Sequence, residues 1–158
     1  MYKPQIVPSG DRPFASPCPL MSTRLYFAAP LFTAAEQAFN AQLAQQLDQL
    51  GWRVFLPQVR CAGLTTSQAI YGRCLEGLTQ AEVVVAILDG ADADSGTCWE
   101  CGYAVGQNIP VVAVRTDFRQ SGDTRGFNAM LLHSAAATVE AKPTWRPTST
   151  KPSAPSWH

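Results

Sequence analysis

Short apolar runs alternate with amphipathic stretches from residue 25 onward, and this alternation predicts the fold class. Buried strands are predicted at 25–28, 54–56, 82–88 and 110–114, with a fifth, short strand at 136–139. Strands that alternate with helices predict an α/β domain with a parallel sheet and right-handed crossovers. The run at 82–88 is apolar on both faces, so we predict that it is a central strand covered by helices on both sides.

The intervening segments carry helix signals. Thr33 and Glu36 have the spacing of a capping box at the start of the first helix, and Gly51 is a stop signal at its end. One face of this helix is predicted to be buried, through apolar residues spaced by four, four and three: Phe39, Leu43, Leu47 and Leu50. Further helices are predicted from a cap within 65–67 to about residue 79 and over 98–107, with a helical turn at 128–132.

Proline content separates the folded unit from both ends of the chain. Nine of the twelve prolines lie outside 22–140. The first segment, 1–21, has no apolar core of the kind that a signal peptide requires, and we predict that it is a disordered leader. The alternative is a mis-assigned start, with Met21 as the natural first residue. The last segment, 141–158, is rich in Pro, Ser and Thr and is predicted to be a disordered tail.

Charge and cysteine content exclude several classes of protein. The 12 basic and 12 acidic residues balance, which argues against a nucleic-acid partner. The apolar runs are far shorter than the roughly 18 residues of a membrane span, so no membrane partner is expected. Five cysteines without framework spacing are typical of reduced thiols, which predicts a cytoplasmic protein.

Candidate chemistry is concentrated in the acidic loop that follows the central strand. Between residues 74 and 114 there are six acidic residues and no Lys or Arg. Ligands bind at the carboxyl edge of open α/β sheets, where this loop is expected. Glu100 could act as a nucleophile at a sugar anomeric carbon, with Asp94 holding a hydroxyl or delivering a proton. The helix dipole would keep Glu100 ionised, whereas neighbouring carboxylates would raise a pKa within the cluster.

Structural alternatives compete with each of these functions. Thr97 and Glu100 have the spacing of a second capping box, and Asp94 could simply cap the third helix. Cys98 and Cys101 form a C-x-x-C at a helix start, as in a redox pair, but the acidic loop would raise the thiol pKa. Neither ligand histidines nor a second C-x-x-C accompanies them, so no metal site is predicted.

A family resemblance covers about 115 residues. The segment after the central strand resembles the signature of the nucleoside 2-deoxyribosyltransferases: Asp94-Ser95-Gly96-Thr97-x-x-Glu100-x-Gly102-x-Ala104. Residues 26–32 are similar to that family's first strand and turn, 54–57 to its second strand, and 128–131 to its C-terminal Asn-x-Met element. The resemblance implies a flavodoxin-like sheet of about five strands flanked by helices, with substrate contacts that include Gly96 of the signature.

The resemblance also implies an activity. Glu100 matches a nucleophile that takes 2-deoxyribose from a 2′-deoxynucleoside and passes it to a free nucleobase with retention, and no cofactor is needed. Tyr26 matches the phenol that orients this glutamate, and Asp94 matches the carboxylate that binds the deoxyribose hydroxyl. Asn128 and Met130 match residues that reach a neighbouring subunit's site, which implies a homo-oligomer, from dimer to hexamer. From the residues alone, Tyr26 and Met130 could equally pack in a core, and Asn128 could be only a helix cap.

One position departs from the family pattern. Cys74 stands where the family usually has Asp or Asn in contact with the leaving base, and a thiol is a weak donor and a poor acceptor. Asp89 or a water molecule could take over protonation of the base, or the base preference could differ. Asp89 is therefore a candidate substrate-binding residue.

Three other functions remain open at this point. One is an N-glycoside hydrolase of 2′-deoxynucleosides or their 5′-monophosphates, although the acidic loop would repel a phosphate. A non-catalytic nucleotide-binding module and a thiol oxidoreductase are the others.

Overall fold

A computed structural model of the chain describes residues 23–117, 123–124 and 126–140. The elements follow in the order β1 (Arg24–Ala28), α1 (Ala34–Gln49), β2 (Arg53–Phe55), α2 (Pro57–Arg60), α3 (Ser67–Thr79), β3 (Val83–Ile87), α4 (Ser95–Gly106), β4 (Val111–Arg115), α5 (Ala129–Ser134) and β5 (Ala137–Glu140). The predicted leader at 1–21 and tail at 141–158 lie outside the described residues.

The five strands form one parallel sheet in the order β2-β1-β3-β4-β5. The predicted α/β fold class is confirmed, and the order is that of flavodoxin-like sheets. The predicted central position of the run at 82–88 is also confirmed, because β3 pairs with β1 on one side and with β4 on the other. The chain order reverses between β1 and β3, so their carboxyl ends flank the crevice where ligands bind in such sheets.

Alternate residues of β1 pack against different layers of helices. Tyr26 and Ala28 belong to the core cluster that includes residues of α3 and α4. Leu25 and Phe27 belong to the cluster that includes Ala44 of α1. Since side chains alternate between the faces of a strand, residues two apart share a face, and Tyr26 faces the layer that contains α4.

The buried face of α1 differs in part from the predicted one. The capping box of Thr33 and Glu36 is present, and Leu43 and Leu47 pack against the core as predicted. Two residues were wrongly placed on this face: Phe39 is 39% exposed, and Leu50, which lies beyond the last turn as the helix cap, is 76% exposed. The buried stripe instead includes Asn40, whose amide donates a hydrogen bond to the carbonyl oxygen of Pro30 at 2.9 Å. Burial of a polar side chain is tolerated when it is bonded in this way.

A short helix, α2, was not predicted. Pro57 ends the second strand, as expected, but it also occupies the start of α2. Proline is favoured there because the first helical residue needs no N–H donor. Within the described ranges, no helix has both the length and the apolar character needed to cross a membrane.

Candidate active site

The first turn of α4 is capped by Asp94. Its Oδ2 atom accepts a hydrogen bond from the backbone N–H of Thr97 at 2.8 Å and another from the Thr97 hydroxyl at 3.1 Å. The alternative in which Asp94 caps this helix is therefore confirmed, and the predicted capping box of Thr97 and Glu100 is wrong. Because the helix starts earlier than 98, Glu100 lies in its second turn and is not needed as a cap.

Glu100 instead reaches across to the sheet. The hydroxyl of Tyr26 donates a hydrogen bond to Oε1 of Glu100, with 2.5 Å between the two oxygens. Tyr26 is fully buried on β1, and its ring stacks on Phe55 with centroids 5.3 Å apart. Among the described residues, no group donates a hydrogen bond to the second oxygen of Glu100, so that oxygen is available to a ligand.

Burial controls the ionisation of this pair. It is the largest cause of a rise in the pKa of Glu100 to about 7, with the charge of Asp94 adding to the rise and the Tyr26 hydrogen bond opposing it. The rise in pKa caused by a neighbouring carboxylate agrees with the prediction. The net shift of the Glu100 pKa is upward, whereas the helix dipole alone was expected to keep Glu100 ionised and so to lower its pKa. Burial and the nearby negative charge also raise the pKa of Tyr26 far above its usual range, so the phenol is a neutral donor.

Glu100 lies at a cleft between α3 and α4 with a volume of about 600 Å³. Most of the side chains that line the cleft are apolar or aromatic. The complete lining among the described residues is Ser67, Ile70, Tyr71, Cys74, Leu78, Gly96, Trp99 and Glu100. Tyr71 and Trp99 meet edge to face at 5.8 Å, and both are about half exposed. A mainly apolar cleft of this size with a few polar groups, among them Ser67 and Glu100, has the properties of a small-molecule site.

Cys74 and Gly96 both belong to the wall of this cleft. The sulfur of Cys74 lies 3.7 Å from that of Cys61, and burial raises the pKa of Cys74 to about 11, so it is a neutral thiol near pH 7. A side chain at position 96 would be crowded, because an added Cβ would lie 3.1 Å from Oδ2 of Asp94. Glycine at this position therefore leaves room for the carboxylate of Asp94 that caps α4, and it adds no side chain to the cleft.

Asp89 is bonded to the two residues that follow β4 and lies outside the lining described for the cleft. Its Oδ1 accepts hydrogen bonds from the N–H groups of Thr116, at 2.6 Å, and Asp117, at 3.2 Å. Its Oδ2 accepts one from the hydroxyl of Thr116. Both oxygens are thus engaged in joining the ends of β3 and β4, and we leave Asp89 out of the proposed site.

Arg115 is a structural residue that sequence reasoning missed. It is 4% exposed at the end of β4, and its guanidinium donates to Asp117 and to the carbonyl oxygens of Leu88, Gly90 and Gly126. These bonds hold the start of the acidic loop against β4. The signal in the sequence was a single arginine that ends an otherwise apolar run.

The family model for nucleoside 2-deoxyribosyltransferase matches residues 25–139. The chain belongs to the nucleoside 2-deoxyribosyltransferase family. The match includes residues of every strand of the sheet, and it includes Tyr26, Asp94 and Glu100. No curated protein sequence matches the chain.

Solved structures agree with this family and fold. A conserved protein from Enterococcus faecalis V583 is 29% identical, with a TM-score of 0.66 over 77% of this chain and 92% of its own. A 2-deoxyribosyltransferase from Bacillus psychrosaccharolyticus is 25% identical, with a TM-score of 0.60 over 72% of this chain and 83% of its own. A 2-desoxiribosyltransferase from Leishmania mexicana is 20% identical over 69% of this chain and 85% of its own, and its TM-score of 0.58 supports the fold alone.

Two residues implied by the deoxyribosyltransferase resemblance lie away from the cleft of their own chain. Asn128 caps α5, as its structural alternative predicted, by accepting a hydrogen bond from the N–H of Met130 at 2.9 Å. Met130 is 78% exposed, so the alternative of core packing is wrong. Both side chains are accessible to a neighbouring molecule.

The cysteines of the C-x-x-C have the environment of packing residues. Burial is the main cause that raises the pKa of Cys98, and it raises that of Cys101 to about 12. Reactive thiols need a lowered pKa, so this environment argues against redox chemistry. Among the described residues, no group of three His, Cys, Asp or Glu side chains is arranged to hold a metal ion.

Proposed function

We propose that this family member transfers 2-deoxyribose between nucleobases through a covalent deoxyribosyl ester on Glu100. The observation that carries the proposal is the hydrogen bond from the buried Tyr26 hydroxyl to Oε1 of Glu100. It holds the carboxylate in one orientation, at the wall of a cleft, while the other oxygen stays available. An oriented carboxylate nucleophile is what glycosyl transfer with retention requires.

The proposed reaction has two displacement steps. In the first, an oxygen of ionised Glu100 forms a bond to the anomeric carbon of a 2′-deoxynucleoside. The bond from that carbon to the base nitrogen breaks, and the base leaves with the electron pair and takes up a proton. In the second, a nitrogen of the acceptor base loses its proton and displaces the ester oxygen, which regenerates the carboxylate. Two inversions at the same carbon give net retention.

Asp94 and Gly96 are proposed to contact the sugar. Oδ2 of Asp94 is engaged in capping α4, whereas Oδ1 accepts no hydrogen bond within the described part of the chain. Because its hydrogen bonds to Thr97 hold the Asp94 side chain in place, the other carboxylate oxygen can bind a deoxyribose hydroxyl without the entropy cost of first ordering the side chain. Gly96 is proposed to let the sugar approach this carboxylate, because it adds no side chain to the wall.

The base is proposed to lie against the apolar part of the cleft. Tyr71 and Trp99 offer aromatic surfaces, and planar rings pack well against such surfaces. Cys74 is a neutral thiol in the same wall, so contacts with the base are expected to rest on packing more than on hydrogen bonds. Free nucleobases and 2′-deoxynucleosides are the proposed ligands.

A neighbouring subunit is proposed to complete the site. Asn128 and Met130 are exposed and lie outside the cleft of their own chain, which leaves them accessible to a second copy. We therefore propose a homo-oligomer in which these two residues contact the substrate of an adjacent subunit.

Intact-protein mass spectrometry tests the proposal. The protein is incubated with 2′-deoxyinosine or thymidine, first without an acceptor base. We expect a mass increase equal to deoxyribose less one water, which disappears when an acceptor base is added and a new nucleoside forms. Steady release of free base and deoxyribose, with no exchange product, would instead identify a hydrolase. Absence of both the adduct and base release would contradict catalysis.

The pH profile of transfer is expected to depend on Tyr26. Because Glu100 must be ionised to attack, kcat/KM should fall as the pH drops below about 7. The Tyr26 hydrogen bond lowers the pKa of Glu100, so Tyr26→Phe should move this acid limb to higher pH as well as lowering the maximum rate. Initial rates from pH 5 to 9 measure the shift. An unchanged acid limb in Tyr26→Phe would contradict the proposed link between the two groups.

Cys98→Ser is expected to change transfer activity by less than about twofold. Cys98 lies outside the described lining of the cleft, and its thiol donates a hydrogen bond to the carbonyl oxygen of Ala93, at 3.7 Å. Serine has a similar size and can donate the same bond. Steady-state kinetics of the variant, beside Cys101→Ala, provide the check. A large loss in Cys98→Ser alone would favour thiol chemistry.

A further inference from the structure

A second cavity, of about 250 Å³, lies at the opposite edge of the sheet from Glu100. We name it the arginine cavity and define it by its four cationic residues, Arg24, Arg53, Arg60 and Arg73. They lie at the amino ends of β1 and β2, at the end of α2 and within α3. Among the described residues, none lines both the arginine cavity and the cleft that contains Glu100.

The concentration of positive charge in this cavity is unusual for this chain. The described ranges contain five Lys or Arg residues, and four of them line the arginine cavity. The fifth, Arg115, is buried at the other edge of the sheet. The same ranges contain eleven Asp or Glu residues, so a basic cavity occurs in a part of the chain that is acidic overall.

Strand register brings two of these arginines side by side. Arg24 and Arg53 are direct register partners on the parallel strands β1 and β2. Neighbouring strands lie about 4.8 Å apart, and register partners point to the same face. Like charges in this arrangement repel and destabilise a sheet. The arrangement is therefore costly unless anionic groups compensate it.

The protein compensates only part of this charge. Glu82 lies 3.7 Å from Arg24, and Glu76 lies 3.3 Å from Arg73. In the described part of the chain, the side chains of Arg53 and Arg60 have neither an ion pair nor a hydrogen bond. Counting the described residues, four arginines against two glutamates leave a surplus of two positive charges at the cavity. The side chains of Arg24 and Arg73 are about half exposed, so a ligand from solvent can reach them.

We propose that the arginine cavity binds a compact phosphate-bearing anion of about the size of a diphosphate. The planar guanidinium group donates paired hydrogen bonds that match phosphate oxygens. The cavity is smaller than the roughly 300–1,000 Å³ of typical drug-sized sites, which favours a small polyanion over a whole nucleotide. This site is independent of Glu100 and of the proposed transfer reaction.

Isothermal titration calorimetry with inorganic pyrophosphate tests the proposal on the full chain. The titration is carried out at low ionic strength without divalent metal, because salt screens exposed charges. We expect saturable binding to the wild type. The double variant Arg53→Gln/Arg60→Gln should weaken it by at least about tenfold, since each arginine contributes charge-assisted hydrogen bonds. If the double variant does not fold, the single variant Arg60→Gln, which changes an exposed residue, should also weaken pyrophosphate binding.

A charge-matched control separates a local site from a general effect of net charge. Gln42→Glu/Gln45→Glu lowers the net charge by the same amount on exposed positions of α1. This variant should change pyrophosphate affinity by less than about twofold, because solvent screens distant surface charges. Absence of saturable binding to the wild type would overturn the proposal. So would equal weakening in the arginine double variant and the α1 control.

Discussion

We expect Glu100→Gln to lower kcat/KM for deoxyribosyl transfer by about 10⁴-fold or more, as when a catalytic nucleophile is removed. The amide has the size of the carboxylate, and its oxygen can still accept the hydrogen bond from Tyr26. It cannot form the ester with the anomeric carbon, so the covalent adduct should be absent in the intact-mass measurement. Substrate affinity should change far less than the rate, because the cleft walls are unaltered.

Stability measurements distinguish lost chemistry from lost structure in this variant. Folding raises the pKa of Glu100 from 4.5 to about 7, so its stabilising contribution is complete below pH 4.5 and is lost as the pH rises through about 7. Glutamine carries no charge to desolvate, so Tm at pH 8 should not fall.

Asp92→Asn is the matched control for Glu100→Gln. Asp92 is an exposed carboxylate on the loop before α4 and lies outside the described lining of the cleft. We expect it to retain transfer activity within about twofold, as is usual for surface substitutions away from a site. A deoxyribosyl adduct on Glu100→Gln, or an equal loss in both variants, would contradict the assignment of Glu100 as nucleophile.

Arg115→Gln should destabilise the fold by about 3–5 kcal/mol, the cost of breaking a buried ion pair by removing one partner. The guanidinium is 4% exposed and donates to Asp117 at 2.8 Å and to the Gly90 carbonyl oxygen at 2.6 Å. Glutamine is too short to reach all of these acceptors, and it carries no positive charge to replace the ion pair between Arg115 and Asp117. For a domain of this size, Tm should fall by roughly 10 °C or more.

Arg60→Gln is the control for this stability measurement. It removes the same charge from an exposed side chain that has no ion pair in the described part of the chain. The expected change in the free energy of unfolding is within about 0.5 kcal/mol. Urea titrations of both variants provide the comparison. A similar loss in both would mean that the bonds of Arg115 to the acidic loop add little to stability.

Local patterns accounted for most of the fold. The apolar run at 82–88 predicted a central strand, and β3 is one, because a strand buried on both faces needs apolar residues on both. The capping box of Thr33 and Glu36 was also confirmed, since all of its bonds join neighbours in sequence. The start of α4 was harder to predict, because Asp94 and Thr97 are both good caps. The backbone geometry at Asp94 decided between them.

The sequence by itself determined the five strands and the helices other than α2, the loop that carries the acidic residues and, through its motifs, the family that the chain resembles. The spacing of apolar residues and the helix caps each involve only a few neighbouring residues, so both can be recognised in a short stretch of sequence. Only the tertiary structure decided which groups each carboxylate bonds. It paired Glu100 with Tyr26 across 74 positions and bonded Asp89 to Thr116 across 27. It also gathered the dispersed residues Arg24, Arg53, Arg60 and Arg73 at one cavity. Such partners are set by strand order and register, which place residues from distant parts of the chain at one point.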